Sequence, residues 1–185
     1  MLTIVVPAQD YFDESKQEFI TTKQTTLSLE HSLISLSKWE SKWHKPFLGK
    51  AGMQEDDKTE EQLVDYVKCM TITQNVPDLV YDSLTRENWE DIKNYISNPM
   101  TATWFSGDEK GGQRETITAE IIYYWMVSLN IPFECQKWHL NKLLTLIRVC
   151  NAKNDPNKKK MGVNDIYARN RALNEERKKL LGTKG

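Results

Sequence analysis

The sequence predicts an α+β chain, mainly α with a small N-terminal antiparallel β-hairpin or sheet, a compact helical body and a basic C-terminal helix. Three observations predict it. Before residue 30, the stretches LTIVV, EFITT and TTLSL are rich in β-branched residues and are separated by turn-forming ones. From residue 31 onward, apolar side chains recur every three or four positions, the period of a helix buried on one side. Charge is spread unevenly: residues 1–152 hold 15 Lys/Arg against 22 Asp/Glu, a balance of −7, whereas residues 153–185 hold 10 against 4, a balance of +6. The expected organisation is one folded domain over 1–152, β-rich over 1–29 and helical over 30–152. A basic tail or docking helix follows over 153–185.

In chain order, Leu2–Val6 suits a short strand that stops at Pro7, whose nitrogen has no proton to give a ladder. Asp10 to Ser15 reads as a turn. Glu18–Thr22 and Thr25–Leu29 complete two or three antiparallel strands, which must lean on helices or on another chain because a lone hairpin is marginal in water. A helix opening at Ser28 or His31 and running to about Trp43 carries Leu33, Leu36, Trp39 and Trp43 on one stripe, and Pro46 stops it. Phe47–Lys58 reads as a loop. Thr59 with Gln62 makes a capping-box pattern for the next helix, whose inner face is Leu63, Tyr66, Val67 and Met70. Pro77 starts a short helix to about Leu84. Thr85 then precedes Arg86–Ser97, striped by Trp89, Ile92, Tyr95 and Ile96, and Asn98-Pro99 ends it.

Met100–Phe105 reads as extended and Ser106–Gln113, with three glycines, as a second loop. The stretch Thr116 to Asn151 is the expected centre of the fold: two helices with a break at Pro132, which fits the first turn of the second helix. No residue from Ile121 to Val127 is charged, and a helix apolar on every side is expected to be buried on every side. The second helix is sided, with Leu140, Leu143, Leu144, Ile147 and Cys150 on one stripe. Asn164 or Asp165 caps a last, polar helix through Leu181, with Ile166, Leu173, Leu180 and Leu181 as its few apolar positions.

A chain of 185 residues can build a core without a metal or disulfide. Its three scattered cysteines fit a reducing compartment, no apolar run is long enough to span a bilayer, and no basic segment precedes an apolar one at the N-terminus. A cytoplasmic protein is expected. There is no phosphate-loop pattern, no glycine-rich dinucleotide turn and no C-x-x-C or H-x-x-x-H spacing, so neither metal nor cofactor is expected. Cys135 and His139, at i, i+4, could set a thiol beside an imidazole. No glycine-rich elbow or oxyanion donor adjoins them, and the core reading is the stronger. Glu55, Asp56 and Asp57 with Glu60 and Glu61 fit a solvated loop and an acidic helix start better than a cation site.

Trp39 and Trp43, flanked by Lys38 and Lys42, read as core or as an aromatic platform. Six tryptophans in the chain lean toward an interface protein, since interface cores are enriched in aromatics. The basic tail lacks interleaved aromatics and the body is acidic, which argues against nucleic acid. The expected partner contacts are therefore Trp39, Trp43, Ile166, Leu173 and Leu180, with no catalytic residue and no enzymatic activity.

The order SKWESKWHKPFL, CMTITQNV, NPMTATWF, IIYYWMVSLNIPFECQKWHLNKLLTLIRVCN and YARNRALNEERKKLLGTKG, covering about Ser28 to Gly185, resembles a family of tail-region proteins of long-tailed, siphovirus-type bacteriophages. Several members of that family are called tail assembly chaperones. The resemblance implies a non-enzymatic protein, in the host bacterial cytoplasm during assembly, that coats the helical tape measure protein and recruits major tail protein subunits, with self-association as a further expectation. It carries over no catalytic motif. The strand-rich segment Leu2 to Leu29 departs from a mainly helical chaperone and leaves room for a structural virion component of the neck or tail, such as a connector, completion or tip protein.

Overall fold

Four strands open the chain: β1 (Leu2–Val6), β2 (Gln9–Asp13), β3 (Glu18–Thr22) and β4 (Thr25–Leu29). In this computed structural model the described residues are 1–13, 17–48, 58–103, 105 and 116–154, with Tyr167, Asn170, Arg171, Leu173, Asn174, Glu175, Arg177 and Lys178. β1 pairs antiparallel with β4, from Leu2 opposite Leu29 to Val6 opposite Thr25. β2 pairs with β3, from Gln9 opposite Thr22 to Asp13 opposite Glu18. Two residues intervene on each side, Pro7-Ala8 and Lys23-Gln24, so the register is unchanged and the four strands form one interrupted hairpin. Pro7 accounts for the interruption, because it cannot donate to the ladder. The expected turn at Asp10 to Ser15 is corrected over its described part, since Gln9–Asp13 is a strand. Cross-strand pairing outweighs the turn-forming aspartates there: the Phe12 and Phe19 rings lie 5.1 Å apart, and the Tyr11 hydroxyl meets Ser83 Oγ at 2.8 Å.

The helices are α1 (Leu33–Trp43), α2 (Glu60–Met70), α3 (Asp78–Asp82), α4 (Arg86–Ser97), α5 (Ala119–Ser128) and α6 (Leu140–Asn154), with a 3-10 turn at Phe133–Lys137 between the last two. Three of them start with the same reciprocal cap: Ser32 with Ser35, Thr59 with Gln62, and Thr85 with Asn88. In each, the cap hydroxyl accepts the third backbone N–H while the third side chain accepts the cap's own N–H. Neither Ser28 nor His31 opens α1: Ser28 lies in β4, and Ser32 is the cap. α1 ends where His44 takes a left-handed conformation (φ 51°), two residues before Pro46.

Two buried clusters make the core of the unit Met1–Cys150. In the first, Ile4, Val6, Leu27 and Leu29 from the hairpin pack with Trp39, with Tyr66, Val67 and Met70 of α2, with Val80 and Tyr81 of α3, and with Ile92 and Tyr95 of α4. In the second, Leu33 and Leu36 of α1 pack with Ala119, Ile122, Met126, Ile131, Cys135, Leu140, Leu143 and Ile147. α1 thus serves both clusters, and the stretch Thr116 to Asn151 is half of the core rather than its centre. Burial of α5 on every side is corrected as well. Only Ala119, Ile122 and Met126 are buried, Trp125 is half-buried, and Tyr124 and Val127 are 68% and 58% exposed. Pro132 precedes the 3-10 turn instead of opening α6, which begins at Leu140.

No strand forms among the described residues of the expected extended stretch Met100–Phe105. Met100 has φ 50° and donates its N–H to Asn98 Oδ1 at 2.9 Å, which closes a turn. Most of the two expected loops, residues 49–57 and 106–113, lies outside the described residues. In the second unit, Asn151–Gly185, the described residues from Tyr167 to Lys178 are helical, and both Tyr167 and Leu173 are exposed.

Candidate functional site

Side chains that could act as a site fall into three places: an aromatic box on α1, a buried polar seam, and an exposed apolar face. In the box, Trp39 is 1% exposed. Its indole N–H donates to the Gln62 carbonyl at 2.8 Å, and its ring meets Phe47 edge-on at 5.1 Å. Trp43 is half-buried and donates to Asp65 Oδ2 at 2.8 Å, while Lys42 Nζ takes Oδ1 at 2.6 Å. Both indoles are occupied within the chain, and Trp39 leaves almost no surface for a partner. Their i, i+4 spacing looks the same in sequence whether the stripe faces solvent or core.

Glu40, on the same helix, was not singled out by sequence reasoning. It is 8% exposed, and its two oxygens accept the N–H groups of Phe47 (2.8 Å) and Ala119 (2.7 Å). Thr118, in the capping position of α5, makes no side-chain cap. The Glu40 carboxylate supplies that acceptor from across the fold, where the positive end of α5 favours it. Burial raises its pKa and Glu120 adds to this, while the two N–H bonds oppose the rise.

The buried seam joins the two core clusters. His31, between β4 and α1, and His139, just before α6, are 2% and 6% exposed, with ring centroids 5.1 Å apart. The Leu140 N–H donates to the His31 carbonyl at 2.7 Å, and Ser32 bridges to His139. His139 Nε2 meets the Tyr95 carbonyl at 3.0 Å, and its Nδ1 lies 3.3 Å from the Asn141 N–H. A carbonyl can only accept, so Nε2 carries the proton and Nδ1 is the acceptor. His31 Nδ1 meets the Tyr66 hydroxyl at 2.6 Å. Burial, helped by the nearby His139, lowers the His31 pKa to about 3. Burial lowers that of His139 as well, against the pull of its bond to Tyr95 and of Glu30. Both rings are neutral at pH 7.

Both nitrogens of His139 are therefore engaged, and neither is free to take a proton from Cys135. That thiol is buried, and burial followed by Glu134 pushes its pKa up, away from the reactive thiolate. The i, i+4 expectation assumed one α-helix, whereas the chain runs through a 3-10 turn and an extended Trp138 between the two residues. Among the described residues, no group of three or more His, Cys, Asp or Glu side chains could hold a metal. Glu60 and Glu61 are exposed in the first turn of α2, and Glu55–Asp57 lie outside the described residues.

The third place is the outer face of α5 and the turn after it. Ten residues from Ile121 to Asn130 carry no charge, yet Tyr124, Val127, Phe133 (54%) and Trp138 (38%) are exposed. Tyr124 and Val127 stand three apart on one helix face. Lys142 Nζ lies over the Trp138 ring, 4.5 Å from its centroid. Of the expected tail contacts, Leu173 is 42% exposed, and Ile166 and Leu180 lie outside the described residues. No helix among the described residues is long and apolar enough to cross a membrane.

The chain matches no protein-family model, no curated protein and no solved structure.

Proposed function

We propose that this is a non-enzymatic phage tail morphogenesis protein, a chaperone that binds the tape measure protein and recruits tail-tube subunits in the host cytoplasm. The sequence resemblance described above suggests the phage tail. One structural observation supports a protein-binding role: the uncharged stretch 121–130 exposes Tyr124 and Val127, with Phe133 and Trp138 following. Exposed apolar and aromatic side chains on one helix face suit a protein contact, and an amphipathic helix lying against such a face is a recurring mode of recognition. The tape measure protein, long and helical by the same resemblance, supplies that kind of surface.

The test is co-expression with the tape measure protein and recovery of the complex. Tyr124→Glu with Val127→Glu should reduce recovery at least tenfold while circular dichroism stays unchanged. Full recovery with the double variant would remove α5 from the interface.

A second reading, a structural component of the neck or tail, is favoured by the N-terminal hairpin. Its Phe12 and Phe19 are 49% and 75% exposed on strands that can take up a neighbouring chain. Mass spectrometry of purified virions separates the two readings: stoichiometric presence supports the structural component, and absence despite strong expression supports the chaperone.

A further inference from the structure

The seam between the two core clusters is held by polar contacts that converge on the N-terminus of α6. His139 caps that helix twice, its Nδ1 accepting the Asn141 N–H and its carbonyl accepting the Leu143 N–H at 3.1 Å. The Asn141 side chain donates to the carbonyls of Ile96 (2.9 Å) and Asn98 (2.8 Å), which fastens α6 to the end of α4. The Leu140 N–H fastens it to His31, at the junction of β4 and α1. We propose that the edge-to-face His31–His139 pair is an acid-released latch: protonation of His139 at Nδ1 withdraws the cap from α6 and opens the seam, while the hairpin-side cluster stays packed.

Among the described residues the groups facing the pair come from every neighbouring element, and none is a free counter-charge. From α2 comes Tyr66, and from α4 comes Tyr95, both phenols kept protonated because burial, first among the causes, raises their pKa values. Glu30, at the end of β4, already accepts the Tyr95 hydroxyl at 2.6 Å and pairs with the Met1 ammonium at 2.9 Å. Each imidazole also has the other beside it, 5.1 Å away. A proton added to Nδ1 would point at the Asn141 N–H, at the positive end of α6, with a second basic ring alongside. The closed seam therefore resists the proton and the open one accepts it, so acid favours opening.

Hydrogen exchange at pH 7 and pH 5, corrected for intrinsic rates, tests this. The Leu140 and Leu143 amides report the seam, and the β1–β4 ladder amides report the hairpin side. Seam exchange should rise between the two pH values by up to roughly 25-fold for each histidine that protonates on opening, with the ladder unchanged. His139→Asn, whose side-chain oxygen can still cap but does not titrate in this range, should cut the acid response of the seam by the share His139 supplies, leaving at most that of His31. Seam and ladder accelerating together, or an undiminished acid response in His139→Asn, would overturn the latch. If that variant does not fold, the wild-type imidazole C–H resonances decide: titration of His139 near pH 6.5 without loss of seam protection excludes it, and resistance to protonation until seam protection falls supports it.

Discussion

Glu40 closes two backbone donors, Phe47 N–H and, from across the fold, Ala119 N–H. Glu40→Ala leaves both without a partner, and an orphaned buried donor costs about 1–3 kcal/mol. Glu40→Gln keeps one acceptor and should cost less, a difference that urea denaturation at pH 7 resolves. The carboxyl also sets a sign. Its folded pKa lies above the unfolded value, so its contribution is full below about pH 4.5 and is lost as pH rises through the folded value. On α5, Ile122 is fully buried and Trp125 half-buried. Ile122→Ala should therefore cost about 2–5 kcal/mol. Trp125→Ala should fall below the roughly 3–5 kcal/mol of a fully buried aromatic. Equal shifts in the denaturation midpoint would contradict the sidedness of this helix.

At the scale of elements, the three reciprocal caps set where α1, α2 and α4 begin. Thr59→Ala and Thr85→Ala should each lower stability by about 1 kcal/mol, read as a lower midpoint with an unchanged denaturant slope. The cap of α2 was legible because Thr59 with Gln62 is a local signal, and the start of α4 because Thr85 precedes an amphipathic run. The cap of α5 was not, because it comes from Glu40, 79 residues away. The outer limits of β1, β3 and β4 were equally plain, since alternation and Pro7 are local too. β2 was misread as a turn because its aspartates signal turns, while the partners that hold Tyr11 and Phe12 lie on another strand and on the loop after α3.

For the whole molecule, His31 and His139 dominate the acid side. Their folded pKa values lie below the unfolded 6.5, so the stability they contribute is full above pH 6.5 and is lost as pH falls toward the folded values, about 3 for His31. Global stability should fall between pH 6.5 and 4.5 by up to about 1.4 kcal/mol per pH unit for each histidine, with Glu40 opposing the fall inside its own window. Urea midpoints across that range check the slope, and a flat profile would contradict neutral burial of the pair. A chain ending at Lys153 is expected to keep the circular dichroism of Met1–Cys150 and to lose binding to the tape measure protein, through Leu173 and its neighbours. Co-purification tests that.

By itself the sequence determined the local features of this protein: the strand-then-helix order, one of the capping boxes, the apolar stripes of α1, α4 and α6, and the split between an acidic body and a basic tail. Each depends on residues within a few positions of one another, so spacing and composition carry the information. Only the tertiary structure decided which side of an apolar helix meets solvent. Trp39 and Tyr124 both look like core or interface in sequence, yet one is enclosed by Gln62 and Phe47 and the other faces outward. It also decided that His31 and His139, 108 positions apart in the chain, share one buried seam and stay neutral. Burial and long-range hydrogen bonds come from the packing of elements distant in the chain, and the residues that supply them carry no local mark of it.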